Sequence, residues 1–144
     1  MMPSFVVPSF VVDASVAMTW LFQDEMTPTT TRLLRRLETD AVLVPALWYL
    51  EITNTLAVAE RKGRVSAEQS EDFIALLDGV QIDVDLETHR GAFTDLLAIC
   101  RKFGLSSYDA TYLELALRRK LPLASLDEPL RKAAKKLGVK LLGK

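Results

Sequence analysis

A chain of 144 residues with 49% hydrophobic and 26% charged side chains has the make-up of a globular domain with its own core, which excludes a disordered or fibrous protein. Its net charge of −1 gives no overall attraction to a polyanion, and a lone cysteine excludes an internal disulfide or a multi-cysteine zinc site. No apolar run reaches the roughly 20 residues of a membrane helix, and the start lacks the basic region and cleavage site of an export signal, so a cytoplasmic protein is expected.

The first feature along the chain is a duplication, PSFVV at 3–7 and again at 8–12. Proline cannot donate to a sheet ladder, so only the second copy reads as a central strand; residues 1–8 are expected to be a peripheral extension and 9–144 the domain. That strand runs into Asp13, and SVAMTWLF then reads as a short helix with Ser15 at or near its cap. Thr27-Pro28 opens a second helix, a cap followed by proline in the first turn. AVLVP is a compact buried strand closed by Pro45, after which ALWYLEITNTLAVAERKG is helical and stops at Gly63. Ser66 caps the next helix with Gln69 three residues on, and QIDVD is a strand candidate. DLETHRGAFTDLLAICRKFG repeats its apolar residues at helical spacing up to Gly104, placing Cys100 in the pattern as a small core residue. Ser106 or Ser107 caps YDATYLELALRRK; a strand LPLAS, a helix EPLRKAAKKLG and a strand VKLL complete the chain. Short apolar strands alternating with helices predict an α/β fold with a central parallel sheet.

In such a sheet ligand sites form at the carboxyl ends of the strands. Asp13 and Asp127 follow strands, and Asp109 lies in the first turn of a helix. Glu51 stands in a nearly all-apolar helix with Asn54 three residues on and on the same face. Each acid has an ordinary structural role open to it, as a cap or on a solvated face. Glu51 is the sharpest case, because a carboxylate among Trp48, Leu50, Ile52 and Leu56 is costly unless a cation, a partner or water meets it.

Acids that converge without a lysine or arginine beside them must take up protons or share a cation. All-oxygen ligands suit Mg²⁺ or Mn²⁺, and the chain offers only one histidine, His89, and one cysteine for a softer metal. The chemistry expected of such a site is attack of metal-activated water on a phosphodiester. Phosphate-binding loops, dinucleotide fingerprints and a G-x-S-x-G elbow are absent. A receiver-type phosphoacceptor would need a second acid where Ser15 stands.

VVDASVAMTWL, LWYLEITNTLA, LSSYDATYLELA and LASLDEPL, in that order and at those separations, resemble the four acidic motifs of the PIN domain, in particular the VapC toxins of toxin–antitoxin pairs. The resemblance covers the chain after Pro8 and implies a three-layer α/β/α sandwich and a Mg²⁺- or Mn²⁺-dependent endoribonuclease. It also implies a homodimer and a cognate antitoxin. By position, Asp13, Glu51 and Asp109 match the principal metal-binding acids and Asp127 the fourth. Ser15 and Ser125 match the supporting hydroxyls, Ser125 standing where threonine is common, and Asn54 matches the polar residue after the glutamate. A catalytically inactive PIN-like module that binds RNA or protein is the alternative.

Charge is unevenly spread. From 118 to 144 nine basic residues face Asp127 and Glu128, a balance of +7 that leaves −8 for the rest. These cations read as solvated helix ends, or, where RNA is the substrate, as phosphate contacts at Arg118, Arg119, Lys120, Arg131 and Lys132. Phe73, Ile74, Leu76 and Leu77 exceed one buried stripe and are candidates for self-association or an antitoxin helix.

Overall fold

The computed structural model describes residues 6–144; Pro3, Ser4 and Phe5 of the first PSFVV copy lie outside the described residues. Five strands form one sheet in the order β3-β2-β1-β4-β5. They are β1 (Pro8–Val12), β2 (Ala41–Pro45), β3 (Ile82–Asp85), β4 (Leu123–Ala124) and β5 (Leu141–Leu142), and every pairing is parallel. The apolar runs explain the order. Phe10, Val11 and Val12 are fully buried in the central strand and all five residues of β2 are buried, whereas β3 at one edge is half exposed.

Seven helices connect the strands: α1 (Ala14–Thr19), α2 (Pro28–Arg36), α3 (Leu47–Arg61), α4 (Ala67–Asp78), α5 (Leu97–Phe103), α6 (Ser107–Arg119) and α7 (Glu128–Lys136). Right-handed crossovers from β1 to β2 and from β2 to β3 place α1–α4 on one face of the sheet. The crossovers to β4 and β5 run the other way and place α5–α7 on the opposite face, giving the three-layer sandwich. The direction of winding changes between β1 and β4, so a crevice opens at the carboxyl ends of those two strands.

The capping chemistry read from the sequence governs the helix starts. Thr27 and Ser66 form capping boxes with Thr30 and Gln69, Ser106 accepts from the Asp109 N–H, and Asp127 accepts from the Leu130 N–H. One start differs: the cap of α1 is Asp13, and Ser15 sits inside the first turn.

The single helix expected before Gly104 is broken into three pieces. A 3₁₀ turn at Thr88–Gly91 and a π-helical turn at Ala92–Leu96 precede α5. The wider turn shifts the phase of the apolar stripe. Leu96 and Ile99 are thereby buried, while Phe93 is left 91% exposed. Among the described residues no helix is long and apolar enough to cross a membrane.

Candidate active site

The crevice between β1 and β4 is where the acids meet. Asp13 follows β1 directly, and its N–H donates to the Ala124 carbonyl at 3.0 Å, which pins the residue to the neighbouring strand. Its carboxylate accepts from the Val16 N–H at 3.1 Å and from the Ser15 hydroxyl at 2.6 Å. The Ser15 oxygen accepts in turn from the Leu126 N–H at 3.0 Å, tying the β1–α1 turn to the β4–α7 turn. Ser125, fully buried, accepts from the Asp127 N–H at 3.0 Å, and its hydroxyl lowers the proton affinity of Asp13. Of the two serines matched in the sequence, Ser15 bonds Asp13 directly and Ser125 holds the turn that carries Asp127.

Glu51 comes from α3 on one face of the sheet, and Asp109 and Tyr112 from α6 on the other. The Tyr112 hydroxyl donates to Glu51 in a short hydrogen bond that closes over the strand ends. Tyr112 is otherwise core, 2% exposed. Asn54 is exposed one turn beyond Glu51 and takes no part in the hydrogen bonding of the acids.

The electrostatics show how close the acids are. Burial pushes the Asp13 carboxyl above its usual range, the Ser125 and Ser15 hydroxyls and the Val16 N–H pull it back, and Asp127 raises it further. Glu51 is raised by burial and by Asp109 and Asp13, against the stabilising Tyr112 bond. Burial and Asp127 raise Asp109. The Tyr112 phenol, buried and facing Glu51, Asp13 and Asp109, is held far above its ordinary value. Among the described residues none of the four acids has an ion-pair partner.

A fifth acid, at the end of an edge strand, shows the opposite solution. Asp85 ends β3 as buried as Asp13, at 5% against 4%, yet its carboxylate receives a fork from Arg118 at 2.8 and 2.9 Å. That bond holds the Asp85 carboxyl below its usual range. The same guanidinium bonds Glu114 at 2.8 Å, and Arg119 stands 3.8 Å from Asp85. One buried strand end is neutralised internally; the other is left without a cation.

The donor set of Asp13, Glu51, Asp109 and Asp127 fits a hard divalent cation, since oxygen ligands of like charge are what such an ion binds and what otherwise destabilises the site. Among the described residues no three such side chains already form a ligand shell, so a shared ion requires these carboxylates to rotate.

The model of the PIN domain matches residues 10–136. The chain belongs to the PIN domain family. Two solved structures share the PIN fold along nearly their whole length. The crystal structure of PAE2754 from Pyrobaculum aerophilum superposes with a TM-score of 0.68 at 23% identity, covering 93% of this chain and 90% of that one. The crystal structure of FitAcB from Neisseria gonorrhoeae gives 0.61 at 16% identity, covering 93% and 96%. Among curated proteins none matches the sequence.

In this PIN domain the basic residues picked from the sequence do not form one surface. Arg118 is taken up by Asp85 and Glu114, and Arg131 donates to the Ser125 and Leu142 carbonyls at 2.7 and 2.9 Å. Lys120 is the left-handed C-cap of α6 (φ 55°), just before Leu121 and Pro122, and so lies toward the amino end of β4, away from the acids. Lys132 is exposed on α7. In the sequence Tyr112 reads as an aromatic for packing, a dimer contact or stacking on RNA bases; its spacing of three from Asp109 on α6, which puts both on one helix face, is the signal that marks its bond to Glu51.

Proposed function

We propose that this PIN domain is a metal-dependent endoribonuclease, the toxin of a toxin–antitoxin pair, with Asp13, Glu51, Asp109 and Asp127 as the acids that hold Mg²⁺ or Mn²⁺. The observation that carries the reading is the meeting of four acids at the switch point of the sheet with no basic side chain paired to them. PIN domains are generally metal-dependent nucleases, and the series of four acidic motifs resembles that of VapC toxins.

The bound ion would lower the pKa of water and offset charge on the phosphodiester oxygens. The protein's part is to gather the acids and hold them in place. Ser15 and the Val16 N–H fix the Asp13 carboxylate, Tyr112 fixes Glu51 from the opposite layer, and Asp127 is set by Ser125 and by its place as the cap of α7. Such supporting hydrogen bonds orient ligands and raise their basicity.

Leu86 (70% exposed), Phe93 and Tyr108 (62% exposed) line an open apolar groove beside Asp109, the kind of surface a homodimer covers. On α4, Phe73 is buried, while Ile74 and Leu76 remain 39% exposed and offer a smaller apolar face to an antitoxin helix.

The purified protein is expected to cut single-stranded RNA with Mg²⁺ or Mn²⁺, leaving 5′-phosphate and 3′-hydroxyl ends, and to stop on addition of EDTA. Sequencing of the RNA ends checks this. Cutting that continues in excess EDTA refutes the assignment, and intact RNA with either metal favours a PIN-like binding module without catalysis.

A further inference from the structure

A set of cations lies along the opposite edge of the sheet from Arg118. Between α2 and β5 runs a groove of about 560 Å³ lined by Arg32, Arg35, Arg36 and Lys144 with no acidic side chain. Across β5, a second groove of about 530 Å³ against α7 is lined by Arg131, Lys132, Lys135 and, again, Lys144, with Glu128 its only acid. The two grooves meet at Lys144, so the cations form one band around an edge strand that no further strand covers.

Some of this charge is spent internally. Arg36 pairs with Asp40 at 3.1 Å, and Lys144 pairs with Glu128. Arg131 bonds only carbonyls and keeps its charge. Arg32, Arg35, Lys132 and Lys135 are exposed and have no ion pair among the described residues. Each pair is spaced by three residues, which sets both members on one side of its helix.

The band ends beside the acids. Gly143 has φ +113° and packs so closely on Ser125 that a Cβ there would stand 2.9 Å from the Ser125 carbonyl oxygen. Ser125 is the residue that holds the Asp127 turn and lowers the proton affinity of Asp13. Anionic phosphates approaching four carboxylates are repelled, and a cationic band that reaches the Ser125 turn without pairing to the acids offsets that repulsion.

We propose that the β5 edge, flanked by Arg32 and Arg35 on one face and Lys132 and Lys135 on the other, is the track along which the sugar–phosphate backbone of single-stranded RNA reaches the acids. This rests on the ribonuclease reading and extends it. Contacts to phosphate give grip and register, not a choice of sequence.

The test is fluorescence anisotropy of a labelled mixed-sequence single-stranded RNA over a salt series, in EDTA so that nothing is cut. Arg32→Gln/Arg35→Gln and Lys132→Gln/Lys135→Gln are compared with the parent and with Arg61→Gln/Lys62→Gln at the far end of α3, all exposed positions, with circular dichroism melts confirming the fold. Each track variant is expected to bind about tenfold more weakly at low salt, and to flatten the slope of log affinity against log salt by about 1.4, two phosphates at about 0.7 each. Track variants no weaker than the Arg61/Lys62 control overturn the proposal alone. A parent protein that binds no single-stranded RNA overturns it together with the ribonuclease reading. Poly-glutamate binding as tight as the RNA, and equally sensitive to the substitutions, also overturns it by marking the band as a surface for an acidic protein.

Discussion

Asp13→Asn is expected to yield a folded protein that cuts no RNA and that, free of divalent ions, melts a few degrees above the parent. Both effects have one cause. Asp13 is a buried carboxylate whose proton affinity burial has raised, so its anionic form destabilises the folded state at neutral pH. Asparagine removes that charge, keeps the shape, and still caps α1 through the Val16 N–H. Activity is expected to fall at least about a hundredfold, some 2.7 kcal/mol of transition-state stabilisation.

The pH dependence has a sign that follows from the same residues. Asp13, Glu51 and Asp109 are all raised in the folded state, which therefore binds more protons than the unfolded chain. The metal-free parent is expected to gain stability as pH falls from 7 through the raised values, the gain being complete below the ordinary carboxylate range of about 4. Asp85, lowered by Arg118, acts in the opposite sense and gives up stability below that range. In Asp13→Asn part of the gain disappears. Melting curves across pH check this, and a parent that only loses stability between pH 7 and 4 contradicts it.

Arg118→Met is expected to be the most destabilising single change outside the apolar core, at about 3 kcal/mol. Methionine keeps much of the side chain's length while leaving Asp85 and Glu114, 2% and 7% exposed at their side chains, without the guanidinium that neutralises them. Breaking a buried pair by removing one partner costs about 3–5 kcal/mol, and the partial exposure of Arg118 points to the lower end. Urea denaturation at neutral pH measures the loss. A change below about 1 kcal/mol, the size of a surface ion pair, would show that the network contributes little.

Much of this was written locally in the chain. The alternation of strands and helices, the caps at Thr27, Ser66 and Ser106, and the run of acidic motifs are short-range patterns, and apart from the helix broken before Gly104 the alternation and the caps produce the elements they imply. The Asp13 and Asp85 strand ends mark the limit. Asp13 follows an apolar strand and Asp85 ends a mixed one, and neither has its partner next to it in sequence; Arg118, 33 positions beyond Asp85, is folded onto one and not the other. Only the crossing of α6 over the sheet decides that. The Tyr112–Glu51 bond spans 61 positions and two layers, and is equally invisible to periodicity. The π-helical turn at Ala92–Leu96 was hidden for another reason: its apolar spacing fits an ordinary helix until the burial of Leu96 and exposure of Phe93 show the added residue.

A titration of Mn²⁺ followed by electron paramagnetic resonance, on the parent, Asp13→Asn and Glu51→Gln, tests directly whether these acids share an ion. The parent is expected to bind Mn²⁺, and each variant to bind at least about tenfold more weakly while staying folded. Equal Mn²⁺ affinity in all three proteins, or none in the parent, would contradict a metal site built on Asp13 and Glu51.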